Sequence, residues 1–173
     1  MISIYTPITE INIAELAVGN RFTLSGVIYA GRDAVLPKIV TLIEKGKLEE
    51  YGIKLEGAVI FHTAVSPAGV GPTSSNKYDI ESTIPALSAA GVKLHLGKGE
   101  LGKDTIEALA KYNSVYAVIP PVTALLNSMT MSKTIVAYPE LGMEAFHLLE
   151  VQNYPAIIAA AHGKSIYDHD KQK

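Results

Sequence analysis

Short runs of β-branched and aromatic residues alternate along the chain with stretches whose apolar positions recur every three or four residues. RFTLSGVIYA (Arg21–Ala30) reads as one long strand or a strand pair. DAVLPKIVTLIEKGKL places Val35, Leu36, Ile39, Val40, Leu42 and Ile43 at helical spacing, with Asp33 set to cap the helix. Pro37 is tolerated there because it falls in the first turn. GAVIFHTAV (Gly57–Val65) is a short apolar run of the buried-strand kind. DIESTIPALSAAG follows as a helix, with Asp79 as its cap and Gly91 as its stop. VKLHLG is the next strand, and LGKDTIEALAKYN a helix with Ile106, Leu109 and Ala110 facing inward. SVYAVI is a further strand, VTALLNSM one or two helical turns, and the C-terminal third is mostly strand-like. Strands and helices alternate in the middle, with extra strands at both ends. This predicts an α/β fold with a mixed sheet, built as a single domain over 1–173 with a tail that frays from about residue 164.

Composition narrows the function classes. The 173 residues are 48% apolar and carry a formal charge of −2, which gives a sizeable core and no basic stripe for nucleic acid. The chain has no cysteine, so thiolate catalysis and thiolate ligation from within it are excluded. MISIYTPITEINIAEL lacks the charged and apolar regions of a signal peptide, and the uncharged stretch from Ser114 to Ser132 is broken by Pro120-Pro121. A cytoplasmic chain without a membrane span is expected.

Three loops stand out where strands end. YAGRDA offers Arg32, whose planar fork suits carboxylates and phosphates, with Asp33 to orient it. GVGPTSSNKYD (Gly69–Asp79) holds Thr73, Ser74, Ser75, Asn76 and Lys77 around a Gly-Pro bend, beside a helix start that would expose N–H groups. It is not a P-loop, because Lys77 is followed by Tyr78 rather than Ser or Thr. LGKGELGK puts Lys98 between two glycines on a tight turn. Each loop also has a plainer reading: a surface arginine beside a capping aspartate, a hydroxyl-rich turn, a solvated lysine. Together they suit a small dianion such as a dicarboxylate.

The remaining chemistry is sparse. His62 and His95 lie inside apolar strands, without a neighbour at metal-ligand spacing, and read as core histidines. His147 and His162 have similar settings, and His169 belongs to the polar tail. Glu144 sits in the apolar PELGMEAF and needs a charge partner that the sequence does not name. No Ser-His-Asp order, cysteine nucleophile or metal cluster appears, and no metal ligand set is assigned. Such a chain resembles the binding half of a composite active site.

The ordered segments LSGVIYAGRDA, GPTSSNKYD, AAGVKLHLGKGE, YNSVYAVIPPVTALL and GMEAFHLLEVQNYPA resemble the β subunit, or C-terminal domain, of class I iron–sulfur-dependent fumarases and L-tartrate dehydratases. The resemblance runs from about Ile8 to Ile158. It implies a swivelling β/β/α domain and a hydro-lyase that dehydrates malate to fumarate or acts on a relative such as tartrate. It also implies a partner α subunit that holds a [4Fe-4S] cluster, so that this chain binds none itself and works as part of a hetero-oligomer. By the same resemblance the substrate-binding residues are Arg32, Asp33, Thr73, Ser74, Lys77 and Lys98, with Thr73 and Lys98 catalytic. Departures that qualify the match include Leu36 where relatives carry histidine, Pro37 after it, Lys77 where they carry arginine, and Pro120-Pro121-Val122-Thr123 in place of a Gly-Gly-Ala-Ala pattern. Lysine keeps the charge but loses the bidentate fork. A non-catalytic dicarboxylate-binding or regulatory module that retains the fold is the competing expectation.

Overall fold

The computed structural model describes residues 1–67, 69–70, 81–120 and 122–168. The chain opens with β1 (Ile2–Tyr5) and α1 (Glu10–Glu15), then the long β2 (Arg21–Gly31) and α2 (Leu36–Lys45). After β3 (Val59–His62) come the hairpin strands β4 (Val65–Ser66) and β5 (Gly69–Val70), then α3 (Ile84–Ala89) and β6 (Leu94–Gly97). The second half runs α4 (Lys103–Lys111), β7 (Val115–Val118), α5 (Thr123–Ser128), β8 (Thr130–Ala137), β9 (Phe146–Ala161) and β10 (Lys164–Ser165). No helix among the described residues is long and apolar enough to cross a membrane.

The sheet is mixed and closes on itself. β2, β3, β6 and β7 lie side by side in parallel, and β9 runs antiparallel to both β7 and β2. These five strands form a barrel-like ring, with β1 beside β2 and β8 beside β9. Two strands are long enough to serve two neighbours on one side. β2 pairs β1 through Phe22–Ser25 and β3 through Tyr29–Gly31. Its register shifts between Leu24 and Gly26. Gly26 has φ +117 and an added Cβ would fall 2.2 Å from Thr6 Oγ1, so glycine makes the bulge that swings β2 from one partner to the other.

Alternation along the strands separates two cores. Val59, Phe61, Leu94, Leu96, Leu149 and Val151 fill the barrel with Phe22, Leu24 and Ile28. Tyr29, Ile60 and Phe146 face outward and are covered by Val35, Leu36, Ile39 and Leu42 of α2. Ile84, Ile106, Leu109 and Tyr116 form a third cluster where α3 and α4 cover the sheet. This is the swivelling β/β/α architecture that the sequence led us to expect.

Several local expectations need correction. Asp33 does not cap α2: the helix starts at Leu36, and Val35 holds the cap position without a side-chain bond. Pro37 is in the first turn, as its chemistry requires. Ala110 is exposed, and Thr105 takes the inward position beside Ile106 and Leu109. α3 spans Ile84–Ala89 with Thr83 at its cap position and Glu81 before it is also helical, while Asp79, the expected cap, lies outside the described residues. His162 occupies a turn rather than a strand. The tail expected to fray from about residue 164 pairs with β9 as β10, and Asp168 Oδ2 accepts from the Ser165 amide at 2.9 Å.

Candidate functional site

The four parallel strands end along one rim of the barrel. Their registers pair Gly31 with His62, Phe61 with Leu96, and Gly97 with Val118. The residues that follow, Arg32, Thr63, Lys98 and Ile119, therefore form the next row across the sheet. The carboxyl ends of parallel strands are where α/β folds place their ligands, because the connecting loops are free to diverge there. β9 runs the other way and starts at this same rim, bringing Glu144 and His147 beside the end of β2. Arg32 and Lys98 lie two strand spacings apart, about 10 Å.

Arg32 and Glu144 settle what the sequence left open. Glu144 lies 112 residues from Arg32 and takes its Nε in two bonds of 2.8 and 2.9 Å, while Nη2 donates to Oε1 as well. The carboxylate holds the guanidinium above its ordinary pKa, mainly by hydrogen bonding. Both side chains are partly buried, at 21% and 24% exposure, so the pair is more than a solvated surface contact. Asp33 Oδ1 lies 3.8 Å from Arg32 Nε and is the more exposed of the two acids. The outcome is a doubly flanked arginine whose Nε–Nη2 edge belongs to Glu144.

Gly31, next to Arg32, serves packing. An added Cβ would lie 2.7 Å from Val35 Cγ1 and 3.1 Å from Phe146 Cδ1. Glycine thus lets α2 and the start of β9 close over the strand end, which sets the height of Arg32 above the rim. Gly31→Ala is expected to destabilise the fold by about 2 kcal/mol through overpacking, as measured by the urea midpoint.

Lys98 is exposed and borders an apolar groove of about 520 Å³, lined also by Phe22, Val118, Ile119, Pro155 and Ile157. Its turn is braced by Tyr116, whose hydroxyl donates to the Gly99 carbonyl at 3.1 Å. Thr73, Ser74 and Lys77 lie outside the described residues. Their flanks are anchored. Gly69 (φ +140) sits against α5, where a Cβ would lie 2.9 Å from Thr123 Cγ2. On the far side, Glu81 Oε1 accepts from the Gly102 amide and from Thr105 Oγ1, each at 2.6 Å. Leu36, a departure from the pattern of relatives, is a buried core residue here and not part of the rim surface.

A polar chain that sequence reasoning missed lies behind the rim. His62 Nε2 is 3.0 Å from His95 Nδ1, and His95 Nε2 is 2.9 Å from Ser88 Oγ on α3. Burial drives His62 down to about 4, and burial with the second ring drives His95 well below its ordinary value. Both rings are therefore neutral at pH 7, and His62 Nδ1 ends the chain without a hydrogen-bond partner among the described residues. The only signal was the outward parity of both histidines on adjacent buried strands. His147 is held by the Ala145 carbonyl at 2.9 Å, and burial lowers it too.

Comparison with known proteins adds a second line. A family model described as "Fumarase C-terminus" matches residues 1–170. The anaerobic class I fumarate hydratase of Escherichia coli K12 is 33% identical over 162 residues, covering 88% of this chain but 29% of that protein. Fumarate hydratase 2 of Leishmania major is 30% identical over 154 residues, covering 84% of this chain and 27% of that one. A putative L(+)-tartrate dehydratase subunit beta of Methanocaldococcus jannaschii is 29% identical over 184 aligned positions, covering 98% and 92%. The chain thus spans under a third of the fumarate hydratases and nearly all of the beta subunit.

Proposed function

The chain belongs to the fumarase C-terminal family, and from that premise we propose that it is the β component of a hydro-lyase that interconverts malate and fumarate or acts on a related 2-hydroxy dicarboxylate such as tartrate. The observation that carries this reading is the rim itself: Arg32 and Lys98 at the ends of two parallel strands with β3 between them, two cations on one rim for a dianion. A [4Fe-4S] cluster does not fit this chain. It has no cysteine, and among the described residues no three His, Asp or Glu converge as ligands. The cluster is assigned to a partner α subunit.

The chain's own residues bind and stabilise charge. Beside its pairing with Glu144, Arg32 would hold one substrate carboxylate through charge-assisted hydrogen bonds, and Lys98 would hold the second. Removing the C3 proton builds negative charge on the adjacent carboxylate, and cations aimed at that charge lower the barrier. Thr73 is proposed to take or position that proton, with Ser74 and Lys77 completing the wall and Asp33 steadying Arg32. A threonine hydroxyl is too weak alone, so Lys98 is assigned the role of lowering its pKa.

A second reading, a dicarboxylate-binding module without catalysis, is favoured by one observation. Glu144 already neutralises Arg32, as it would in a site that binds only when the pair opens. Calorimetry with malate on the chain alone separates the two. Half a composite site binds weakly, with Kd of about 1 mM or above, because the partner's ligands are missing. Binding near 1 µM without a partner would favour the stand-alone module. Co-purification with a cluster-bearing subunit is the complementary result that the enzyme reading requires.

A further inference from the structure

Lys98 stands on a turn that is tied at both sides, and one of the ties comes from another part of the candidate site. Gly102 occupies the cap position of the nine-residue helix α4 and has no side chain with which to cap it. The first-turn N–H groups of a helix need an outside acceptor. Glu81 supplies it from 21 residues earlier, with Oε1 accepting from the Gly102 amide and from Thr105 Oγ1. Its negative charge also sits at the positive end of the helix. Gly102 is suited to this contact, since an added Cβ would lie 3.2 Å from Glu81 Oε1. On the other side of the turn, the Tyr116 hydroxyl holds the Gly99 carbonyl, and Tyr116 is 1% exposed, a fixed post. Glu81 directly follows the segment that carries Thr73, Ser74 and Lys77.

We propose that Glu81 is a positioning residue for Lys98: its carboxylate braces the Lys98 turn where it enters α4, opposite the tie that Tyr116 makes to Gly99. No role in touching the substrate is assigned to it. The kinetic consequence rests on the dicarboxylate reading above; the brace can be measured without it. Displacement of a catalytic group by about 1 Å costs on the order of 100-fold in rate, so loss of the brace acts on turnover more than on folding.

The test uses Glu81→Ala, Glu81→Gln and Thr105→Val in the full chain, with Glu107→Gln on the exposed face of α4 as control. Hydrogen exchange at the Gly102 amide reads the brace directly. It is expected to accelerate about tenfold or more in Glu81→Ala and to stay near wild type in Glu81→Gln, whose amide oxygen still accepts. In the complex with the partner subunit, Glu81→Ala is expected to lower kcat for malate about 10- to 100-fold with KM changed less than about threefold. Thr105→Val, which removes one of the two donors, should fall between. Glu81→Gln and Glu107→Gln should remain within about threefold. Wild-type kinetics in Glu81→Ala despite faster Gly102 exchange would overturn the proposal, as would equal impairment of Glu81→Ala and Glu81→Gln. If the wild-type complex turns over no dicarboxylate, the dicarboxylate reading fails and the brace is decided by acylation of the Lys98 amine. A change of about fivefold or more in that rate in Glu81→Ala, absent in Glu81→Gln, supports positioning; an unchanged rate in both overturns it.

Discussion

Acidification from pH 7 to pH 4 is expected to cost the folded chain about 3 kcal/mol through His62 alone. The sign follows from which state binds the proton. Unfolded, His62 titrates near 6.5; folded and buried, it stays neutral down to about 4. Between those values the unfolded chain takes up a proton that the native chain refuses, so stability falls as pH drops through that window and levels off below it. His95, lowered in the same direction, adds to the loss. Urea unfolding at pH 7.5, 5.5 and 4.5 measures it. Replacing both rings together, as His62→Leu with His95→Leu, removes the titrating groups while leaving no half of the pair unpaired, and should flatten the added slope. An identical slope in the double variant would show that other groups carry the acid sensitivity. Near neutral pH the double variant should lose about 1–3 kcal/mol, because the buried Ser88 hydroxyl loses its His95 partner.

The second large effect is expected at Arg32. Removing it takes away the planar donor fork and leaves Glu144, partly buried, without its cation. In the assembled enzyme, Arg32→Ala is expected to lower kcat/KM for malate on the order of 100- to 1,000-fold. Arg32→Lys should recover only part of this, since an ammonium cannot meet two carboxylates bidentately. Glu144→Gln separates holding from neutralising: its oxygen still accepts from Nε while the negative charge is gone. If Glu144 positions Arg32, Glu144→Gln keeps turnover within about tenfold and tightens carboxylate binding, whereas Glu144→Ala loses both. Equal loss in Glu144→Gln and Glu144→Ala would mean that the charge itself is needed.

What the sequence makes legible is local. β2 reads as one long strand or a strand pair from its β-branched run and proves to be one strand, α2 reads from its apolar spacing, and the rim loops from glycine and charge placed at strand ends. What it hides depends on contacts between distant positions. Glu144 advertises an unmet need for a partner, yet only the antiparallel pairing of β9 with β2 brings Arg32 within 3 Å of it. The His62–His95 contact needs the β3–β6 register, and barrel closure needs one strand, β9, to pair with both β2 and β7. Asp33 misleads because an aspartate before an apolar stripe usually caps; here it leans toward Arg32, and Val35 stands at the helix start. Glu81 is invisible for the same reason as Glu144: its carboxylate binds the cap residue of a helix, Gly102, 21 residues later.

If this chain supplies the carboxylate-binding rim of a two-part hydro-lyase, turnover must appear when the two parts are assembled. The chain is co-expressed with a cluster-bearing α subunit, the complex is isolated without oxygen, and the hydration of fumarate and the dehydration of malate and tartrate are followed. Turnover of at least one of these acids by the complex is expected, none by either subunit alone, and loss on the order of 100-fold or more in Arg32→Ala. A fully assembled, cluster-loaded complex that is inactive on all three, or one whose turnover is indifferent to Arg32→Ala, would contradict it.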